Sequence, residues 1–239
     1  MGTILETSLP ASETYQSLQS RANLVVGALS AYIVMEMLSS VWAIGYTFWG
    51  TGFSAEALGI NVYTAAIALL TLLSAGLYLS TVVLFLMWFH RAYKNLTPLG
   101  AVGLQYSPGW TIGAWFIPIG NLFIPYRIAK EIWVKSGERH EEYAFLNTES
   151  TVPSVIGTWW GFWIVSNISI NLTAGLGTAT SGKFEELMLP LMSATASILA
   201  AMYAIRMIKM LTARQEENIA LMPNYGAPPP PPNYESQAA

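Results

Sequence analysis

Few side chains in this sequence have the types and spacing that catalysis or metal binding requires. The chain has no cysteine and no aspartate, and nothing places its two histidines, His90 and His140, at ligand spacing. This excludes thiolate chemistry, an aspartate pair and a cysteine-based zinc site. There is also no HExxH or GxSxG motif. We therefore expect a protein that is not an enzyme and that holds no metal or cofactor.

Glu36 is the most unusual residue for its position, because it interrupts an apolar run near its middle. An ionisable side chain at membrane depth is costly and typically marks a site. Two interpretations remain open: a structural, hydrogen-bonded acid, or a proton or cation site. Asn121 and Asn167 lie at similar depth and raise the same question. Such amides either satisfy broken backbone and helix contacts or, as in transporters with discontinuous helices, bind a substrate.

The composition indicates that these residues belong to a membrane protein. Hydrophobic residues make up 53% of the 239 positions and charged residues 10%, against about 25% charged in soluble domains. Four apolar runs are long enough to cross a bilayer: residues 23–49, 62–89, 154–176 and 187–205. We predict an all-α, polytopic membrane protein with four transmembrane helices. The net charge of −3 and the lack of a basic patch outside the membrane flanks exclude nucleic acid as a partner.

The domain boundaries follow the same pattern. Residues 1–22 form a polar N-terminal tail, residues 23–210 an integral membrane domain, and residues 211–239 a proline-rich tail that we expect to be disordered. The end of this tail, Pro231 to Tyr234, matches the PPxY pattern that WW domains bind. We interpret the match as a consequence of the proline-rich composition.

A central segment, residues 107–136, is broken by prolines between the second and third runs. Ser107 and Pro108 favour a helix start, and Pro118 ends that first arm. Asn121 lies in the turn that follows, and Pro125 restarts a helix. Each arm is about ten residues, or ~15 Å, which is too short to cross. The segment is therefore predicted to be re-entrant or interfacial, with Trp115 packed against the tryptophans of the third run.

The second arm of the central segment has the pattern of an amphipathic interfacial helix. Its apolar residues are Ile128, Ala129, Ile132 and Trp133, and its charged residues are Arg127, Lys130, Glu131 and Lys135. With Arg139, these bases would attract anionic lipid head groups on the cytoplasmic face.

The distribution of basic residues predicts the topology. A full crossing by the central segment would divide the eleven Lys and Arg residues seven against four. If the segment returns to the side from which it enters, ten lie on one side and only Lys183 on the other. We therefore expect both termini to be cytoplasmic.

Several blocks of this sequence resemble a known family. They are FHRAYKNL at 89–96, SPGW at 107–110, WFIPIGNLFIPYRIAKEIW at 115–133 and WWGFWIVSN at 159–167. Together they are similar to the bacterial membrane-protein family catalogued as domain of unknown function 4328, over about residues 60–210. The resemblance implies a polytopic bacterial membrane protein, and we expect it in the cytoplasmic membrane. It implies no activity, cofactor or site residue, since none is assigned to the family.

Two functional hypotheses follow. In the first, the protein is a scaffold whose central wedge and basic surface helix engage the lipid bilayer, a protein partner or a second copy. In the alternative, it is a small transporter or channel whose pathway uses Glu36 and the broken central segment.

Overall fold

A computed structural model describes residues 14–49, 60–137, 152–176 and 183–222. The predictions made for residues 1–13, His140, Arg139 and the PPxY motif lie outside these residues.

The described chain is helical. The helices are α1 (Gln19–Trp49), α2 (Ile60–Lys94), α3 (Trp110–Gly113), α4 (Ile124–Lys135), α5 (Ser154–Leu176) and α6 (Lys183–Ala220), with two 3-10 turns, Ala114–Phe116 and Gly120–Leu122. Three of the helices contain stretches that are long and apolar enough to cross a membrane: Gln19–Gly45, Leu69–Lys94 and Met188–Ala220. These confirm three of the four predicted spans in position and character. Helix α5 has 23 residues and coincides with the remaining predicted run.

The long helices pack in the order α2, α1, α6, α5, with contacts between each neighbouring pair. The central segment lies between the two outer helices, because α3 contacts α2 and α4 contacts α5. Small side chains allow α6 to approach its neighbours closely, and its predicted stripe of small residues is buried: Ser193, Ser197, Ala200 and Ala204.

Most large side chains on the apolar stretches of α1 and α2 point away from the protein. Examples are Leu38, Val41, Leu72 and Leu79, each more than half exposed. Exposure of so many apolar side chains to water would be unfavourable for a bundle of this size, whereas lipid acyl chains solvate them. The described residues thus support an integral membrane protein.

The well-packed core lies at one end of the bundle. It combines the start of α1, the end of α2, helix α4, the start of α5 and the end of α6, represented by Leu18, Phe89, Ile132, Ile156 and Leu211. The chain therefore leaves α2 and enters α5 at the same end. We call this region the basal core.

Helices α1 and α6 both extend beyond the predicted spans into the basal core. Helix α1 begins at Gln19, and Leu18 before it is fully buried. Helix α6 continues to Ala220, so the prediction of a disordered tail from residue 211 is wrong for residues 211–220. The reason is a buried stripe at helical spacing, Leu211, Gln215 and Ile219, which packs on the rest of the basal core.

The backbone of the central segment changes direction at the positions the prolines and glycines indicate. The Ser107 carbonyl accepts a hydrogen bond from the Trp110 N–H at 3.0 Å, which forms the first turn. The α-helix itself begins at Trp110, and the Ser107 side chain does not cap it. Ile117 is extended, and Gly120 opens the next turn. A Cβ on Gly120 would lie 3.1 Å from the side chain of Ile117, so this turn favours glycine.

Candidate functional site

The loop joining the two arms of the central segment carries a cluster of exposed apolar side chains. We call residues 116–123 the apolar tip. Phe116 is 77% exposed and Ile119 is 75% exposed, and Ile117, Leu122 and Phe123 are each more than two-fifths exposed. Pro118 lies within this tip. An exposed apolar cluster of this kind marks a membrane or protein contact rather than a water-facing loop.

Trp115 anchors the first arm to the bundle, as the sequence predicted. Its ring lies edge-on to Phe85 of α2 at 5.9 Å and to Trp163 of α5 at 5.4 Å, measured between centroids. Its indole N–H donates to the Thr111 carbonyl at 3.0 Å. Trp115 therefore connects the two outer helices of the bundle through the central segment.

The second arm is held by α5. The Trp160 indole N–H donates to the Leu122 carbonyl at 3.1 Å, and its ring stacks on Tyr126. Pro125 lies in the first turn of α4 and is buried. These contacts provide a partner for a backbone carbonyl that the broken helix leaves free.

Helix α4 is amphipathic, but one of its predicted surface residues points inward. Arg127 is exposed, and Lys130 lies 5.4 Å from the Tyr126 ring centroid. Glu131, however, is only 8% exposed. Its carboxylate accepts the Gln105 N–H at 2.6 Å and the Tyr93 hydroxyl at 2.9 Å. The sequence grouped Glu131 with the bases on the charged face of this helix, but these two donors from the preceding loop and helix hold its carboxylate inside.

Trp133 joins α4 to the end of α6. The Arg214 guanidinium lies 4.1 Å above the Trp133 ring, and its Nε donates to the Trp133 carbonyl at 3.1 Å. This is a cation–π contact reinforced by a hydrogen bond. These two contacts hold α4 against the end of α6 within the basal core.

His90 has a structural position. Its Nδ1 lies 2.9 Å from the Pro108 carbonyl and 3.1 Å from the Thr111 hydroxyl, so it ties the end of α2 to the start of the central segment. Among the described residues, no three His, Cys, Asp or Glu side chains come close enough to hold a metal ion.

A cavity of about 400 Å³ lies where the central segment meets the four long helices. Aromatic rings from α1, α2, the central segment and α5 line it, including Phe85, Trp115 and Trp163. The central segment also contributes Asn121, and α5 contributes Asn167. The structure thus brings together at one cavity three of the residues that the sequence singled out.

Glu36 adjoins this cavity without lining it. Its carboxylate interacts with the hydroxyl of Tyr32, which also lies close to Ser197. Tyr32 and Ser197 are both lining residues. Glu36 therefore contacts the cavity through Tyr32, and the described lining residues do not include the carboxylate itself.

The basal core contains a buried polar network that was not predicted from the sequence. The amide of Gln215 is fully buried and donates to the Ala92 carbonyl at 2.8 Å and to the Ser136 hydroxyl at 2.9 Å. Asn95, also fully buried, donates to the Gln16 carbonyl at 2.8 Å. In the sequence, Gln215 stands in the polar run ARQEEN and looks solvated. Its burial could have been predicted from its spacing, because Gln215 follows Leu211 by four residues and so lies in the apolar stripe of α6.

A second polar contact in the basal core lies at the start of α1. The Glu216 carboxylate accepts the Leu18 N–H and the Ser17 hydroxyl, each at 2.7 Å. It therefore satisfies backbone and side-chain donors where the first helix begins. Residues separated by almost the whole chain are joined here.

Comparison with known proteins identifies a family and assigns no activity. No curated protein and no solved structure matches the chain. A family profile, described as a domain of unknown function (DUF4328), matches residues 54–213 and so covers α2, the central segment, α5 and most of α6. The chain belongs to this family, and the resemblance drawn from its sequence blocks is confirmed.

Proposed function

We propose that this protein is a non-enzymatic, four-span membrane protein whose central segment is a wedge inserted into the cytoplasmic leaflet. The observation that carries the proposal is the apolar tip, where Phe116 and Ile119 are each about three-quarters exposed. At ~25 cal/mol per Å² of apolar surface, moving these side chains from water into acyl chains favours insertion.

The course of the backbone supports a same-side insertion. The end of α2 and the start of α5 both contribute to the basal core. This arrangement favours a segment that leaves and returns at one end of the bundle. With the basal core on the cytoplasmic side, nine of the ten described basic residues would lie on that side and Lys183 on the other, in agreement with the positive-inside rule.

A re-entrant backbone needs partners for its amides, because lipid supplies none. The apolar tip supplies several internally: the N–H groups of Asn121, Leu122 and Phe123 donate to carbonyls within the segment at 2.7 to 3.1 Å. Trp160 supplies a further bond from α5. The tip is thus able to enter a leaflet with these groups satisfied.

The basic side of α4 defines the partner that we propose, which is the head group of an anionic lipid. Arg127 is exposed, and Lys130 and Lys135 are partly exposed. Helix α4 follows the apolar tip directly, so its bases would stand at head-group level when the tip is inserted. A protein partner or a second copy would meet the same face.

The transporter hypothesis receives less support than the wedge. A carrier that couples to Glu36 needs its carboxylate in the pathway, and the described lining of the cavity contains Tyr32 in its place.

Cysteine accessibility tests the wedge, and the absence of native cysteine makes the measurement clean. In sealed vesicles, an impermeant maleimide should label Lys94→Cys and Arg139→Cys from the inside and Lys183→Cys from the outside. Ile119→Cys should resist the reagent from both sides and react only after detergent is added. Outside labelling of Arg139→Cys would show a full crossing, and labelling of Ile119→Cys in intact vesicles would show that the tip faces water.

Charge neutralisation tests the head-group contact. The double variant Arg127→Gln with Lys130→Gln should bind phosphatidylglycerol about 30-fold more weakly, since each base contributes ~1 kcal/mol. Binding is measured as the lipid-dependent rise in melting temperature in detergent, with phosphatidylcholine as the neutral reference. The exchange variant Arg127→Lys with Lys130→Arg conserves the charge and should keep the affinity. Equal loss in both double variants would reject an electrostatic head-group site.

A further inference from the structure

The cavity beneath the central segment has the size of a ligand site. Its volume is about 400 Å³, within the ~300–1,000 Å³ of small-molecule pockets. Three of its lining residues, Tyr78, Val82 and Phe116, are exposed by more than a third. Those residues belong to α2 and the apolar tip, so the cavity opens between these two elements, on a side where lipid would have access.

Two hydroxyl groups of the cavity wall are placed to accept hydrogen bonds. The Thr81 hydroxyl donates its hydrogen to the Leu77 carbonyl at 2.8 Å, and the Ser166 hydroxyl donates to the Trp163 carbonyl at 2.8 Å. Each hydroxyl oxygen retains lone pairs after its hydrogen is used. A molecule in the cavity would therefore need to donate a hydrogen bond to satisfy them.

Asn121 provides an unused polar group at the same wall. Its side chain lines the cavity, while its Oδ1 is buried out of reach of a water-sized molecule and has no hydrogen-bond partner among the described residues. A ligand hydroxyl would reach this oxygen after the amide rotates toward the cavity. A buried polar atom without a partner is unusual and costly. Because an amide both accepts and donates, a hydroxyl is the group that would complement it.

The charge of the cavity determines which hydroxyl-bearing molecules fit. None of its described lining residues is a Lys, Arg, Glu or His. A phosphate or carboxylate would have no cation to neutralise it among these residues. The remaining walls are aromatic and aliphatic, and they favour an uncharged hydrocarbon body.

From these observations we infer that the cavity is a binding site for a neutral, hydroxyl-bearing lipophile that enters from the bilayer. The hydroxyl lies against Asn121, Thr81 and Ser166, and the hydrocarbon part packs on the tryptophans. This site is separate from the head-group contact of α4, so either can fail without the other.

Tryptophan fluorescence can test the site, because Trp115, Trp159 and Trp163 all line the cavity. The probe is 12-bromododecan-1-ol, whose bromine quenches nearby indoles, added to the full-length protein in detergent micelles. We expect quenching that saturates, and that excess 1-dodecanol reverses while dodecane does not. This comparison uses the unaltered protein. Quenching that rises linearly, or that dodecane reverses equally well, overturns the inference.

Three variants locate the effect. Ala200→Leu fills the cavity and should abolish the saturable quenching. Ala196→Leu, at a buried position of the same helix outside the lining, is the matched control and should retain it. Asn121→Leu should weaken the alcohol roughly tenfold, as expected for one lost hydrogen bond in a buried site. Saturable quenching that persists in Ala200→Leu would place the probe elsewhere and reject the site.

Discussion

Replacing Glu131 with alanine should destabilise the protein by ~2–4 kcal/mol, although its sequence position suggests a surface residue. The carboxylate is 8% exposed and accepts the Gln105 N–H at 2.6 Å and the Tyr93 hydroxyl at 2.9 Å. Alanine would leave the Gln105 N–H without a partner, which costs ~1–3 kcal/mol, whereas the Tyr93 hydroxyl would still donate to the Tyr106 carbonyl at 2.7 Å. The loss of a hydrogen bond to a charged carboxylate adds to this cost. The free energy of unfolding in a detergent titration measures the change.

Two comparisons separate this effect from a general loss of charge on α4. Arg127→Ala removes an exposed charge from the same helix and should change stability by less than ~0.5 kcal/mol. Tyr93→Phe removes one of the two donors, so combining it with Glu131→Ala should cost less than the sum of the two single changes. Additive losses would mean that the hydroxyl and the carboxylate do not interact in solution.

Gln215→Ala should destabilise the basal core by a similar ~2–4 kcal/mol, since it removes buried volume together with a hydrogen-bonded amide. The side chain is fully buried and donates to the Ala92 carbonyl and the Ser136 hydroxyl. Its Oε1 accepts from the Asn95 amide at 3.4 Å. We expect earlier unfolding of the basal core, observed as faster amide exchange in residues 86–96 and 205–219.

The volume and the hydrogen bonds of Gln215 can be separated. Gln215→Met keeps the size and loses the amide, so it should still cost ~1–3 kcal/mol. Glu217→Ala, two positions further along α6 and exposed, should be close to neutral. If Gln215→Met is as stable as the unaltered protein, packing alone holds this part of the core.

The elements of the fold were largely predictable from the sequence, because they depend on local chemistry. The apolar runs predict helices of spanning length, and three of them are confirmed. Pro118, Gly120 and Pro125 act through their own backbone geometry, and the chain turns and restarts at these positions. The sequence blocks at 89–96, 107–110, 115–133 and 159–167 also led to the family that the profile confirms.

The candidate site was predictable only in part. The sequence predicted that Trp115 packs on the tryptophans of the third apolar run and that Asn121 and Asn167 lie at membrane depth. All three residues line the cavity. The cavity itself depends on how the aromatic rings of α2 and α5 pack against the central segment. These elements are far apart in the sequence, so no local pattern predicts their packing. The orientation of Glu131 depends likewise on Tyr93 and Gln105, which come from a different helix and loop.

By itself, the sequence determined that this is a helical membrane protein with a broken central segment, since hydropathy and proline geometry are properties of short stretches. Only the tertiary structure decided where the stable core lies. Asn95 and Gln215 are 120 positions apart and meet in the basal core, and Glu216 binds the backbone of Leu18. Such contacts arise because antiparallel helices return to the same end of the bundle. There, polar side chains must find one another or remain unsatisfied.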